Sequence, residues 1–259
     1  MTHPLDNPIF LSLTGAHARF AERRGNVLRY QVDVSPFLAM PEEPDASDWA
    51  DAAWLAGPGG LLPLTGVSVP PPVDWEVLMI GEGVQMTGER LAVAADEEAL
   101  PLGLADVAEM LDLTARTQPG PFLPRTVELG TYLGIRRDGR LVAMAGERLH
   151  PEGWTEVSAV CTDEAWRGQG LASRLVRAVG AGIRARGEIP FLHAVAANPA
   201  VALYEQLGFQ LRRKTSFPAA RIPETLLPAA AGHRRVMPGR SRQLPSRSRL
   251  NKTDRISRI

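Results

Sequence analysis

The stretch AVCTDEAWRGQGLASRLVRAV, Ala159 to Val179, constrains this chain more than any other: an apolar, β-favouring segment passes through a polar turn with two glycines into a helical pattern. A strand that ends, turns through glycine and opens into a helix presents unpaired backbone N–H groups and the positive end of the helix dipole. That combination suits a phosphate or pyrophosphate. Gly168 and Gly170 remove side chains that would obstruct a close approach, and Arg167 adds charge. In the following helix Leu171, Leu175, Val176, Val179 and Ile183 form one apolar face, and Gly187 supplies a stop. Taken alone the turn is only a helix start near glycine, which is common. It matches neither the Walker-type loop ending in Lys-Ser or Lys-Thr nor the GxGxxG pattern, so the classical nucleotide folds are disfavoured.

The patterns around this unit describe a mixed α/β domain. From about residue 97 a short apolar piece leads into a helix with Val107, Met110, Leu111 and Thr114 on one face. TYLGIRRDGRLVAMAGERLH reads as a hairpin about Asp138-Gly139, and GWTEVSAVCT as a further strand. Beyond the glycine turn, IPFLHAVAAN predicts a strand, PAVALYEQLG a helix with Pro199 near its start, and FQLRRKTSF a last strand. The order is therefore β, helix, β, β, β, helix, β, helix, β. In residues 1–97, Phe10, Leu13, His17 and Phe20 predict an amphipathic helix over Asn7–Gly25, followed by a strand in VLRYQVDVSPFLAM. DASDWADAAWLAGPG predicts a second helix with Trp49 and Leu55 on its buried stripe, and DWEVLMIGEGVQMTGE one or two strands.

Composition narrows the class. With 259 residues and 44 % hydrophobic content the chain can bury a substantial core. No window approaches the roughly 18 apolar residues of a membrane span, and MTHPLDNPIFLSLTG has neither a basic flank nor a long apolar segment; a soluble, cytoplasmic protein is expected. The single cysteine, Cys161, excludes a disulfide framework, and five scattered histidines without HExxH spacing argue against a metal site. Of 29 basic and 29 acidic residues, ten and two fall between Pro218 and Ile259, which leaves residues 1–217 at net −8. The segment 218–259 is rich in Ala, Pro, Ser and Arg with almost no apolar periodicity, and is expected to be a disordered, dispensable tail.

Two motifs occur together: RGQGLA, which fits Arg/Gln-x-x-Gly-x-Gly/Ala after a strand, and LYEQLGF, Leu203 to Phe209, preceded by Asn198. In this pairing and order the sequence resembles the GCN5-related N-acetyltransferase (GNAT) superfamily over roughly residues 97–217. The resemblance implies a mixed, centrally splayed β-sheet flanked by helices, with a catalytic domain over 98–217. Residues 1–97, where helix and strand patterns also alternate, are expected to form an N-terminal α/β lobe, an incomplete copy walling the substrate cleft. It implies acetyl-CoA as co-substrate and direct transfer to a primary amine of a small molecule or protein, without metal. The pyrophosphate would lie on Arg167, Gly168, Gln169, Gly170, Leu171 and Ala172, with Ser173 adjoining, and Val160, Cys161 and Thr162 would face the pantetheine arm and acetyl group.

By the same resemblance Tyr204 is the candidate general acid and lies against the donor, and Asn198 contacts pantetheine. The separation of Asn198 from Tyr204 is six residues here, where family members often have seven. For the general base, Glu156 on the strand leading to the acetyl site is the first choice and Glu147 the second. Cys161 has no evident histidine partner and direct amine attack needs no acyl-enzyme, so it is not read as a nucleophile. His193 alternates in phase with Phe191 and Val195 and reads as a packed strand histidine. GPFLPRTVELG is a candidate lip of the substrate cleft, with Arg125 and Glu128 as candidate substrate contacts. The rival readings are a non-catalytic acyl-CoA-binding or regulatory protein, and a nucleic-acid binder acting through the basic tail. Neither membrane nor nucleic acid is the favoured partner, and a homodimer is compatible with the sequence.

Overall fold

The computed structural model describes residues 3–224. Helix α1 (Pro8–Thr14) starts where the Asn7 side chain accepts from the Phe10 N–H and Pro8 takes the first helical position. It is shorter than the anticipated Asn7–Gly25. Ser12 and Thr14 turn their hydroxyls back onto the Pro8 and Phe10 carbonyls, and the chain breaks at Gly15. A Cβ at Gly15 would lie 3.0 Å from the Leu11 carbonyl. The remainder forms a 3-10 turn, Ala18–Phe20, and strand β1 (Ala21–Arg24), which pairs with β2 (Val27–Tyr30). Strand β3 (Leu38–Ala39) completes a small antiparallel sheet. Helix α2 (Ala46–Ala56) has a reciprocal cap, in which Asp45 accepts from the Ser47 and Asp48 N–H groups and Asp48 accepts from that of Asp45.

The second sheet carries the site. Its strands are β4 (Leu61–Pro63), β5 (Glu76–Thr87), β6 (Leu100–Leu102), β7 (Tyr132–Arg137), β8 (Arg140–Glu147), β9 (Trp154–Thr162), β10 (Ile189–Val195) and β11 (Gln210–Arg221). Helices α3 (Val107–Thr117), α4 (Leu171–Ala185) and α5 (Ala200–Leu207) connect them, so the order from β6 onward is the one the patterns predict. The spatial order is β4-β11-β5-β10-β9-β8-β7-β6, and among the described residues only β9 and β10 run parallel. Asp138 and Gly139 both take positive φ in the tight β7–β8 turn.

The anticipated boundary at residue 97 falls inside this sheet. Strand β5, from the first 97 residues, lies between β10 and β11, and the described residues belong to one compact unit. Residues 218–221, assigned by composition to the tail, finish β11 beside β4 and β5; residues 225–259 lie outside the described residues.

The α4 face behaves as its pattern dictates. Leu171, Leu175, Val176, Val179 and Ile183 are buried against Ile135, Val142, Val157 and Leu192. Each such side chain contributes about 1.5–3 kcal/mol relative to exposure. Met110 and Leu113 of α3 pack with Tyr132, Met144 and Cys161, and Leu5, Leu13 and Tyr30 of the N-terminal segment share a cluster with Phe191. Among the described residues no helix is long and apolar enough to cross a membrane.

One buried histidine gives the fold a pH dependence. His17 is 3 % exposed; its Nδ1 lies 2.8 Å from the Tyr30 hydroxyl and its Nε2 3.0 Å from the Leu129 carbonyl. The carbonyl can only accept, so Nε2 carries the proton and Nδ1 accepts from Tyr30. Burial, reinforced by nearby His150, pushes its pKa from 6.5 down to about 4. A depressed histidine pKa stabilises the fold above the unfolded value, and that contribution is lost as pH falls from about 6.5 towards 4. By pH 5 this group is expected to cost about 2 kcal/mol, read as the difference in acid-side denaturant stability between the wild type and His17→Gln. Parallel pH profiles of the two proteins would remove His17 as the cause.

Candidate active site

Strands β9 and β10 pair only over Trp154–Glu156 and Ile189–Phe191. Beyond that point each continues without the other, so the sheet splays at its centre, as the resemblance implies. A bulge helps to open it. Met144 opposes Cys161 while Gly146 opposes Ser158, so β9 spends one residue more than β8 over this span. Ala159 takes φ +51°, a left-handed conformation costing about 1–2 kcal/mol in a residue with a side chain. Ala159 and Val160 thereby leave the regular ladder.

A cleft of about 900 Å³ occupies the opening. Val157–Thr162 form one wall and His193–Val195 the other. Of the expected donor-site residues, Val160, Cys161, Thr162, Arg167, Gly168, Gly170, Leu171, Ala172, Ser173, Asn198 and Tyr204 all border it, and Gln169 does not. Gly168 and Gly170 have φ +77° and +72°, and a Cβ at either would meet nothing within 4 Å, so the space above the turn is open. The first N–H groups of the 15-residue α4 have no intrahelical acceptors. Arg174, one turn in, is tied to Asp96 and Glu98, whereas exposed Arg167 reaches, among the described residues, only the Thr162 carbonyl at 3.4 Å.

The floor is a buried polar chain. Arg148 grips Glu156 with Nε and Nη2 at 2.7 and 2.8 Å, and His193 Nδ1 lies 2.7 Å from Glu156 Oε1. On the other side of His193, its Nε2 is 2.9 Å from Gln85 Nε2. Gln85, fully buried, accepts from Arg212 at 2.6 Å through Oε1 and donates to the Leu5 carbonyl at 2.8 Å through Nε2. Those partners fix the amide, so Gln85 donates to His193 Nε2 and His193 Nδ1–H donates to Glu156. His193 therefore does border the cleft, but its lone pair is already engaged.

This geometry corrects the choice of base. The Glu156 side chain is 0 % exposed and does not border the cleft. Burial alone would raise its pKa, yet Arg148 and His193 hold it down at about 2, and a carboxylate so held is a poor proton acceptor near neutrality. Glu147 accepts from Arg186 at 2.8 Å and from the Thr131 N–H at 3.0 Å, and it does not border the cleft either. Arg125 and Glu128 of the lip pair with each other at 2.7 and 2.9 Å, and Arg125 also reaches Gln31 and Asp33; Gly120 and Pro121 face the cleft instead.

Tyr204 borders the cleft with its ring packed edge-on against Phe209, and burial pushes its phenol up to about 12. Burial likewise pushes the Cys161 thiol up to about 11, which keeps it protonated and a weak nucleophile. Asn198 accepts from the Ala200 N–H at 2.9 Å, an Asx turn just before α5 at the rim. Arg148, Gln85 and Arg212 were not singled out by sequence patterning. Among the described residues no cluster of histidine, cysteine, aspartate or glutamate could hold a metal ion.

The family model described as FR47-like protein matches residues 132–217, which span β7 to most of β11. A solved structure from Novosphingobium aromaticivorans, assigned to the GNAT family of acetyltransferases, is 37 % identical and superposes with a TM-score of 0.75, covering 86 % of this chain and 100 % of that one. A GCN5-related N-acetyltransferase from Kribbella flavida, 17 % identical, shares the fold at a TM-score of 0.52 over 82 % of this chain and 94 % of its own. A Drosophila protein, 16 % identical, does so at 0.52 over 85 % and 89 %. No curated protein matches the sequence. With a relative of this identity matched over its whole length, the chain belongs to the GNAT family of acetyltransferases.

Proposed function

We propose that this protein transfers acetyl from acetyl-CoA directly to a primary amine within a ternary complex. The observation that carries the reading is the splay between β9 and β10, with an open glycine turn and the α4 N-terminus at one end of the cleft and Tyr204 beside it. The residues present fit the donor: uncrowded glycines and orphan N–H groups suit its pyrophosphate, and the displaced Ala159–Val160 backbone suits its amide-bearing arm. When bound, acetyl-CoA supplies a thioester whose carbonyl carbon accepts the amine and whose sulfur leaves as thiolate. Tyr204 protonates that sulfur. Glu156 serves as a positioning residue that holds Arg148 and His193 in place. The acceptor's proton passes to water, because no carboxylate among the described residues borders the cleft. A chain with one free cysteine fits a cytoplasmic setting.

Release of CoA thiol, followed with acetyl-CoA over a panel of primary amines, tests the reading. Amine-dependent release with a matching mass gain of one acetyl group on the acceptor is expected. Tight acetyl-CoA binding without release on any amine would favour a non-catalytic binder instead.

A further inference from the structure

The cleft has a definite chemistry beyond the donor motifs. Ile9, Phe37, Pro63, Phe217 and Pro218 add apolar lining to it, and most of these come from outside the segment that carries those motifs. Among the described residues neither aspartate nor glutamate borders it, and its only cationic side chains are Arg148 and Arg167. A polycationic acceptor would surrender water around each ammonium and find no carboxylate in return. Arg167 lies at the turn, so Arg148 is the cation available to the acceptor.

Arg148 is only partly used. Its Nε and Nη2 fork engages Glu156, which leaves the end edge, Nη1 with the second Nη2 hydrogen, donating to no group among the described residues. The guanidinium carbon sits 5.1 Å from the centre of the Phe37 ring, itself a cleft wall. An end edge beside an aromatic face is a bidentate site for a carboxylate attached to an apolar body.

Resting on the acetyl-transfer reading above, we infer that the acceptor is an amino acid with an apolar or aromatic side chain, its carboxylate on the free edge of Arg148 and its side chain against Phe37 and Phe217. The ammonium first gives one proton to water; the nitrogen then forms a bond to the acetyl carbon as the carbon–sulfur bond breaks, Tyr204 gives its proton to sulfur, and the second nitrogen proton leaves to water, which restores the Tyr204 phenol.

The test compares phenylalanine, phenethylamine and spermidine as acceptors, with acetyl-CoA binding measured separately by calorimetry. Phenylalanine is expected to exceed phenethylamine in kcat/KM by about tenfold or more, the worth of one charge-assisted hydrogen-bonded contact, with spermidine below both. Arg148→Lys keeps the charge beside Glu156 but loses the fork, and should bring the phenylalanine-to-phenethylamine ratio towards one. A purely structural role would lower both substrates and leave the ratio unchanged. Equal or better use of phenethylamine or spermidine, no turnover of phenylalanine by enzyme that binds acetyl-CoA, or a ratio unaltered in Arg148→Lys would each overturn the assignment. Absence of acetyl-CoA binding would instead sink the underlying transferase reading, and this inference with it.

Discussion

Arg148→Met is expected to destabilise the protein by about 3–5 kcal/mol, because it strands a fully buried carboxylate without its partner. For a unit of this size that corresponds to a fall in Tm of roughly 6–20 °C. Most of the loss should return in Arg148→Met/Glu156→Gln, where the buried charge is gone and an amide oxygen can still accept from His193. The wild type and the single variant should also diverge in acid. Glu156 has a folded pKa near 2 against 4.5 in the absence of structure, so its pairing stabilises the wild type above about 4.5 and is lost as pH falls towards 2. The single variant lacks that acid-labile contribution, and its deficit against the wild type should shrink at low pH. Thermal unfolding of the three proteins at pH 7 and pH 3 checks this. A double variant no more stable than the single one would show that the ion pair is not what the floor depends on.

Tyr204→Phe is expected to lower kcat by about 10²–10⁴-fold, the usual worth of a positioned general acid, with little change in KM for acetyl-CoA. Phenylalanine preserves the packing against Phe209 and the α5 helix, so the fold should survive. With its phenol held up at about 12, Tyr204 remains protonated throughout the neutral range and can act as an acid there. A well-folded variant with unchanged kcat would reduce Tyr204 to a side chain that packs its helix on the sheet.

What the sequence made legible is what local periodicity encodes. The apolar face of α4, the Asp138-Gly139 turn and the alternation of strands from Tyr132 to Thr162 each follow from residues a few positions apart. The register between distant segments does not. Nothing in DWEVLMIGEGVQMTGE says that β5 enters the sheet between β10 and β11, more than 100 residues away, and that pairing removes the expected boundary at residue 97. The same gap explains Glu156. A glutamate on a strand looks alike whether it faces substrate or an arginine, and only the β8–β9 return sets Arg148 against it. Gln85 reaches His193 through β5, so the engagement of that imidazole was equally out of sight. The glycine turn was legible because its conformation is set by the backbone, and the positive φ values at Gly168 and Gly170 are ones that glycine announces directly.

Everything proposed for this cleft depends on the donor lying in the splay with its pyrophosphate on that turn. The deciding experiment is calorimetric titration of acetyl-CoA into the wild type and into Gly168→Asp, which sets a carboxylate in the open space above the turn. One saturable site is expected in the wild type, with binding weakened by about tenfold or more in the variant, from like-charge repulsion and a strained φ. No binding by the wild type, or equal affinity in the two proteins, would contradict it.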